Sequence, residues 1–241
     1  MRASAEALRA SNAVKDEFLG LVSHELRTPV TTIFGNARLL RDRGDRLSRE
    51  NRISMIDDIA DDSERLLGVI ENLLTLTRLE SGIHVDPEPQ VLAHVVKTTV
   101  DSFSARHRDR VIQLRGEPRH LIVDADRPYL ELLLTNLISN ADKYSPADAP
   151  IEVVLRSTDA DAVVLVLDRG IGLAGADPAR MFTAFYRTED AQARSGGLGI
   201  GLAACKRVVE ALGGRIWAEP REAGGSEFGF ALPLASASNL G

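Results

Sequence analysis

The sequence has a single cysteine, Cys205, and no long apolar run. A lone thiol excludes a disulfide framework or a thiolate metal site within one chain and favours a reducing compartment. No apolar stretch approaches the roughly 18 residues that a membrane-spanning helix requires, and the N-terminal residues lack the apolar region of a signal peptide. We therefore expect a cytoplasmic protein with no membrane segment in this chain.

Basic residues are not in excess, since 29 Lys and Arg stand against 35 Asp and Glu and give a formal net charge of −6. Such a chain has no basic footprint, so we do not expect nucleic acid as a direct partner. An apolar fraction of 44% over 241 residues is ample for a packed core, in one large domain or two ordinary ones.

Proline is scarce near the N-terminus, where residues 3 to 42 contain only Pro29. This segment is rich in Ala, Leu, Arg and Glu, which predicts a long helix with a kink near Pro29. Apolar side chains recur within it at spacings of three and four, at Leu19, Val22, Leu26, Val30, Ile33, Ala37 and Leu40, and predict one buried stripe. His24 is offset from Val22 and Leu26 by about 200° of rotation at about 100° per residue, so its imidazole should face solvent.

A second helix is predicted from Arg49 to Glu80, after a break at residues 43–45. Its apolar seam also alternates at three and four residues and comprises Ile53, Ile56, Ala60, Ser63, Leu67, Ile70, Leu74 and Thr77. A hairpin of two such long helices has apolar surface on both helices that two chains bury better than one. We therefore predict a homodimeric four-helix bundle.

The chain changes character after residues 81–82, which end the second helix. Residues 86–89, Asp-Pro-Glu-Pro, predict a short, stiff, polar crossing. Beyond it, the patterns predict helices at 91–106, 127–141 and 201–212, and strands at 111–115, 120–125, 151–157, 162–168, 215–220 and 226–233. This order predicts an α+β sandwich with helices on one face of a mixed sheet.

Three groups of residues in this second region point to a nucleotide site. Asn136, Asn140 and Lys143 lie at helical spacings of four and three, hence along one face. Carboxamide oxygens suit a hard cation such as Mg²⁺, and a lysine suits phosphate. Taken alone, this pattern also fits a solvated helix surface.

The second group is Asp168-Arg169-Gly170-Ile171-Gly172, which follows directly from a predicted strand. Its carboxylate can accept a hydrogen bond from an exocyclic amine, and its glycines let the backbone approach a flat ring. The third group is the glycine run 196–201, which leads into a helix whose N-terminal N–H groups favour phosphate. It matches neither a Rossmann nor a Walker pattern. Each group alone also fits an ordinary turn, but the three together favour nucleotide binding.

These motifs resemble those of sensor histidine kinases. SHELRTP at residues 23–29 is similar to the H box of that family, and NLISNADKY (136–144), DRGIG (168–172), FTAFYR (182–187) and GGLGIGL (196–202) resemble its N, G1, F and G2 boxes. The resemblance covers residues 11–232 in the family order. It implies a dimerisation and phosphoacceptor domain at 1–82, a linker at 83–87, an ATP-binding domain of the gyrase, Hsp90 and MutL type at 88–235, and a tail at 236–241.

The resemblance also implies roles for individual residues. His24 is the implied phosphoacceptor, Glu25 the carboxylate that accepts its other N–H, and Thr28 the residue that positions water in phosphatase action. Asn140 is the implied Mg²⁺ ligand, and Asp168 is the implied partner of the adenine amine. The other implied nucleotide-site residues are Asn136, Lys143, Tyr144, Gly170, Gly172, Phe182, Phe185, Arg187, Gly197, Gly199, Gly201 and Leu202, with residues 188–196 as a lid. Arg169 is a less usual occupant of its position and leaves the charge beside the adenine contact open.

The implied function is autophosphorylation of His24 from ATP–Mg²⁺, transfer of the phosphoryl group to an aspartate of a response regulator, and phosphatase activity. Two alternatives stay open, namely a phosphatase-dominant regulator that uses Glu25 and Thr28, and a non-catalytic dimeric scaffold with a vestigial ATP site. Since the first helix starts near Met1, we expect either an excised core or a protein whose input arrives from a partner. Cys205 and Trp217 are expected to be core residues.

Overall fold

The computed structural model describes residues 2–81, 87–116, 121–175, 177–188 and 197–235, with the side chains of residues 2–19 and 80 left out. The helices are α1 (Arg2–Arg43), α2 (Arg49–Glu80), α3 (Leu92–Arg106), α4 (Arg127–Tyr144) and α5 (Gly201–Ala211), with a 3₁₀ turn at Gly44–Arg46. The strands are β1 (Glu88–Val91), β2 (Ile112–Arg115), β3 (Ile122–Ala125), β4 (Ile151–Ser157), β5 (Asp161–Leu167), β6 (Arg215–Pro220) and β7 (Ser226–Pro233). Within these ranges, none of the helices combines the length and apolar character needed to cross a membrane.

The chain divides into two compact units. The first unit ends at Glu71 and also takes in residues 197 and 198. The second unit begins at Asn72, so the last turns of α2 belong to it.

Apart from residues 197 and 198, the first unit consists of helix α1, the 3₁₀ turn and the part of α2 that ends at Glu71. The Ser48 side chain accepts a hydrogen bond from the Asn51 N–H (3.2 Å) and so caps the start of α2. Side-chain bonds join the two helices, including one from the Asn36 amide to the Asp58 carboxylate at 3.2 Å. The two predicted helices are therefore confirmed, and α1 continues through Pro29.

The apolar positions of the two helices differ in burial. In α1, Val22, Leu26 and Ile33 are half-buried, whereas Val30 is exposed. The apolar members of the predicted α2 seam are exposed in the single chain, with exposed fractions between 40% and 56% for Ile53, Ile56, Leu67, Ile70 and Leu74. The half-buried apolar positions of α2 are a different set that includes Met55, Ile59 and Leu66. The seam is thus an outward apolar surface of one chain.

The second unit contains a five-stranded mixed sheet with the order β2-β4-β5-β7-β6. Strands β2 and β4 are parallel, and the other neighbours are antiparallel. One core joins the buried faces of α3, α4 and α5 to one face of the sheet, through residues such as Leu92, Leu134, Val208, Val164 and Phe230. The predicted sandwich of helices on one face of a mixed sheet is confirmed.

The opposite sheet face carries a smaller apolar cluster. Strand β5 is buried on both faces, since Val164 and Val166 join the main core while Val163 and Leu165 join the smaller cluster. Trp217 packs against this smaller cluster, directly across from Gly229 on β7. A side chain at position 229 would collide with the indole, so the glycine there makes room for the ring.

The sequence interpretation of residues 86–89 was wrong in one respect. Residues 88–91 form β1, which pairs antiparallel with β3, with Glu88 opposite Ala125 and Val91 opposite Ile122. Two prolines concealed this strand, because a strand in a two-stranded sheet needs few backbone donors and tolerates proline. Helix α4 also extends three residues beyond the predicted end, to Tyr144. Of the predicted linker, only Pro87 lies within the described residues.

Candidate functional site

His24 lies on α1 with its side chain 77% exposed, which confirms the solvent-facing position predicted from the helix period. Its Nδ1 is 3.9 Å from Oε1 of Glu25. This distance is too long for a hydrogen bond, so Glu25 lies near His24 but does not form the expected bond. Nδ1 is the ring nitrogen beside this carboxylate, and Nε2 is the other one.

Glu25 is held from α2. The Arg65 guanidinium donates to Oε2 of Glu25 at 3.1 Å, which leaves Oε1 on the side of His24. Thr28, one turn after His24, is exposed and donates from Oγ1 to the His24 carbonyl at 3.4 Å. Sequence analysis missed Arg65, because its contact with Glu25 spans 40 residues. In the sequence, Arg65 is one of several basic residues on α2, and nothing distinguishes it from the others.

Asn136, Asn140 and Lys143 all lie on α4. The apolar face of this helix is buried and comprises Leu130, Leu133, Leu134, Leu137 and Ile138. Asn140 is half-buried and Lys143 is exposed, with its Nζ 5.3 Å from the centre of the Tyr144 ring. Asn136 differs, because its carboxamide forms two hydrogen bonds with Asn72 of the same unit, at 2.7 and 3.2 Å.

The C-terminal end of α4 is fixed by Arg110, a buried arginine that the sequence did not single out. Its guanidinium donates to the Asp142 carboxylate and to the carbonyls of Asp142 (2.9 Å), Pro146 (2.6 Å) and Ala149 (3.0 Å). A cation at the C-terminal end of a helix is favourable because the unpaired carbonyls there carry partial negative charge. Arg110 therefore positions the turn that carries Lys143 and Tyr144.

Asp168 follows β5 and is only 3% exposed. Its Oδ1 accepts hydrogen bonds from the backbone N–H of Gly170 (2.7 Å) and of Ser226 (3.1 Å). Burial raises the pKa of Asp168, and the N–H donors of Gly170 and Ser226 oppose that effect. A carboxylate has about four lone-pair sites, so these bonds leave capacity for a ligand donor.

The glycines beside Asp168 permit close backbone contacts. A Cβ at position 170 would collide with the Tyr144 carbonyl, so Gly170 brings the Asp168 loop against the end of α4. Gly172 has φ +72°, a region that favours glycine. The structure thus brings together Asp168, Gly170 and Tyr144, as expected for parts of one site.

The FTAFYR and glycine motifs are also joined. Phe185 has φ +67°, which is unusual for a residue with a large side chain, and its N–H donates to the Gly199 carbonyl at 3.0 Å. A Cβ on Gly199 would lie 2.9 Å from the Tyr186 carbonyl and 3.1 Å from Cγ of Arg187. Phe182 is buried in the main core.

Gly201 begins α5, and a Cβ there would lie 3.0 Å from Oδ1 of Asn136, so the start of α5 approaches α4 closely. Leu202 packs against the main core, and Gly197 has φ +142°. Of the predicted lid, residues 189–196 lie outside the described residues, as does the first glycine of the run.

The side chains of Asn140 and Asp168 fit a nucleotide that brings its metal ion with it. Within the described ranges, no group of three or more His, Cys, Asp and Glu side chains could hold a metal ion. Asn140 offers one carboxamide oxygen, and Mg²⁺ commonly takes one or two protein oxygens together with water and substrate phosphates. Asp168 offers a buried acceptor with glycine backbone beside it, which fits an amine on a flat base.

Comparison with known proteins matches each of the two regions to a domain family. Residues 14–82 match the His Kinase A (phospho-acceptor) domain, and residues 125–236 match the histidine kinase-, DNA gyrase B-, and HSP90-like ATPase family. The chain therefore belongs to the histidine kinases and is a catalytic core of that family, with an ATP-binding type of domain. This confirms the resemblance seen in its motifs.

The relatives are sensor kinases of greater length. The chain is 32% identical to the sensor histidine kinase WalK of Bacillus subtilis over 223 residues, 90% of this chain and 36% of that protein. It is 33% identical to the sensor-like histidine kinase SenX3 of Mycobacterium tuberculosis over 229 residues, 92% of this chain and 54% of that protein. The chain thus spans about a third to a half of the length of these curated relatives.

Solved structures share the fold. Full-length ShkA in complex with AMPPNP matches with a TM-score of 0.62 and 28% identity, over 92% of this chain and 46% of that one. Histidine kinase ThkA in complex with the response regulator protein TrrA matches with a TM-score of 0.67 and 20% identity, over 94% of this chain and 64% of that one. The second likeness concerns the fold alone.

Proposed function

We propose that this chain transfers the γ-phosphoryl group of ATP to His24. A lone pair of the imidazole attacks the γ-phosphorus, the bond to the β,γ-bridging oxygen breaks, and ADP leaves. The proton on the other ring nitrogen passes to Glu25 or to water. The observation that carries this proposal is the exposed His24 with Glu25 beside Nδ1 and held by Arg65, which favours Nε2 as the attacking atom.

The ATP site is proposed within the ATP-binding domain, which the motifs predict at residues 88–235. Asp168 would accept a hydrogen bond from the adenine amine, Gly170 and Gly172 would admit the ring, and Lys143 would contact phosphate. The surroundings of the nucleotide would be completed by Tyr144, Phe185, Arg187, Gly197, Gly199, Gly201, Leu202 and Asn136. Asn140 would hold Mg²⁺, which spreads the negative charge that develops during phosphoryl transfer.

The phosphoryl group would then pass to an aspartate of a response regulator. ThkA, which shares the fold, has been solved in complex with such a protein. We also propose phosphatase activity toward that partner, because the exposed Thr28 lies one turn after His24, where its hydroxyl can orient water. Both activities use the same exposed part of α1.

The active species is proposed to be a homodimer. Five large apolar side chains of α2, Ile53, Ile56, Leu67, Ile70 and Leu74, are 40% to 56% exposed in the single chain. They follow the three-and-four spacing that packs one helix against another. A second copy of the chain offers an identical apolar surface to cover them.

The phosphoacceptor assignment is tested by incubating the purified chain with [γ-³²P]ATP. His24→Gln should abolish acid-labile labelling while ATP binding survives. His94→Gln, at an exposed histidine on α3, is the matched control and should label normally. Asn140→Ala should lose labelling in a dimer of unaltered fold. Retained labelling in His24→Gln would overturn the assignment, and an unlabelled but dimeric wild type would favour the scaffold.

A further inference from the structure

Glu152 is a buried carboxylate beside the Asp168 loop. It is the second residue of β4 and is 6% exposed. Its neighbour in the antiparallel register is Leu167, the residue before Asp168. Because side chains alternate along a strand, Glu152 shares the sheet face of Val154 and lies opposite the helices. A carboxylate in such a place needs charged partners.

Three arginines surround Glu152 and divide its two oxygens between them. Arg115 lies 3.2 Å from Oε2, whereas Arg221 and Arg169 lie 3.7 and 3.9 Å from Oε1. Arg169, whose role the sequence left open, is therefore part of an ion-pair network. Arg115 and Arg169 are more than half exposed, but the Arg221 side chain is only 20% exposed.

Arg221 connects this network to Asp168. Its Nη1 donates to the backbone carbonyl of Asp168 at 2.7 Å, while its Nη2 faces Glu152. The guanidinium is a rigid fork, so fixing one arm orients the other.

The Arg221 backbone also shapes the other side of Asp168. The Arg221 N–H donates to the Gly225 carbonyl at 3.2 Å, in a turn that leads into Ser226, a donor to Oδ1 of Asp168. A Cβ on Gly225 would collide with the Asp168 carbonyl. Arg221 therefore contacts the Asp168 backbone directly and also organises the turn whose Ser226 holds the Asp168 carboxylate.

We propose that Arg221, oriented by Glu152, is a positioning residue for base recognition by Asp168, and that it favours a purine with a 6-amino group over one with a 6-oxo group. This inference rests on the ATP site proposed above. An ionised carboxylate accepts a hydrogen bond from an amine, whereas a protonated one can donate to a carbonyl. Burial raises the pKa of Asp168, and the positive charge of Arg221 is one of the effects that oppose this rise and favour the accepting form.

The test measures equilibrium binding of ATP and of inosine triphosphate, which has a 6-oxo group, to the full chain. Arg221→Gln should reduce the preference for ATP by about tenfold, and Glu152→Gln by about threefold, as expected for weakened charge-assisted hydrogen bonds. Arg115→Gln is the matched control, because it removes a partner of Glu152 that does not reach Asp168. It should change the preference by less than about twofold.

The ratio of the two affinities separates positioning from general stability. If Arg221→Gln weakens both nucleotides equally, or neither, the proposal is overturned. Should that variant fail to fold, Glu152→Gln decides instead, and an unchanged ratio in it also overturns the proposal. Asp168→Asn tests the underlying site. If this variant keeps the full preference for ATP, Asp168 does not recognise the base, and the proposed ATP site itself is wrong.

Discussion

Asn72 and Asn136 face each other through two hydrogen bonds that run in opposite directions. Asn136 Nδ2 donates to Asn72 Oδ1 at 2.7 Å, and Asn72 Nδ2 donates to Asn136 Oδ1 at 3.2 Å. Asn72 is buried, and Gly201 at the start of α5 lies close to the pair. Within the second unit, the last turns of α2 therefore meet α4 and the start of α5 at these two carboxamides.

Removing either side chain should break both hydrogen bonds of this buried pair. We expect Asn72→Ala and Asn136→Ala each to lower the free energy of unfolding by about 1–3 kcal/mol. The double variant should cost less than the sum of the two, because each single variant already breaks the same two hydrogen bonds. Urea unfolding followed by circular dichroism measures the cycle. Asn51→Ala, at an exposed site on α2, is the control, and strict additivity would argue against coupling.

Arg65 should affect chemistry at His24 without affecting nucleotide binding. Arg65→Gln releases the Glu25 carboxylate, so we expect phosphorylation of His24 to slow by about tenfold, or about 1.4 kcal/mol of barrier. Single-turnover labelling gives the rate, and a separate titration gives the ATP affinity. The control is Arg38→Gln, at an exposed arginine that pairs with Asp42, and it should behave as wild type. An unchanged rate in Arg65→Gln would show that orientation of Glu25 does not limit the reaction.

The buried charge of Asp168, which would serve nucleotide binding, should lower the free energy of unfolding of the nucleotide-free chain. Burial raises its pKa above 3.8 in the folded chain, so the folded state holds this proton more tightly than the unfolded state. Stability from this residue is therefore lost as pH rises through that folded-state pKa. Asn keeps an oxygen for the Gly170 and Ser226 donors but has no charge.

Two measurements follow for Asp168→Asn. Without nucleotide, this variant should unfold at a higher urea concentration than wild type near neutral pH, and the difference should shrink on acidification toward about pH 4. Its ATP affinity should fall by at least about tenfold. A variant less stable than wild type at neutral pH would contradict the burial argument.

Cys205 should be unreactive in the native chain. The residue is fully buried on α5, its Sγ lies 3.8 Å from the Leu133 carbonyl, and burial raises the pKa of the thiol. We expect reaction with a thiol reagent to be at least about a hundredfold slower than in the urea-unfolded chain. Ser157→Cys in a Cys205→Ser background provides an exposed reference thiol. Comparable rates at the two positions would contradict the buried placement.

The exposed seam of α2 should govern the oligomeric state. Leu67→Glu replaces an outward apolar side chain by a charge that a single chain can leave in water, so the fold should survive. Light scattering should give a dimer mass for wild type and a monomer mass for the variant. Leu114→Glu, at an exposed leucine on β2, should remain dimeric. A monomeric wild type would remove the homodimer from the proposal.

Local patterns predicted most of the elements. The Arg49–Glu80 helix, strand β4 and the β6–β7 hairpin have the predicted bounds, because continuous apolar periodicity and glycine breaks define them locally. Strand β1 was missed because its only partner, β3, lies more than 30 residues along the chain and its prolines suggested a linker. Pairing of that kind leaves no periodic signal.

The candidate site divides in the same way. Motif residues such as His24 and Asp168 could be found because their chemistry and spacing are visible in the sequence. The residues that hold them, Arg65, Arg110 and Arg221, could not, because each acts through contacts between distant parts of the chain. A charged residue buried within an apolar strand, as Glu152 is in β4, was the one available hint.

The pairing of Trp217 with Gly229 gives the protein a built-in optical reporter. Trp217 is the only tryptophan of the chain, and its Nε1 donates to the Glu227 carboxylate at 3.3 Å. Its indole emission therefore reports on the β6–β7 edge of the second unit, while α1 and most of α2 contribute ellipticity without emission. Comparing the two signals during a melt would reveal whether the helical hairpin and the sandwich come apart in one event or in succession.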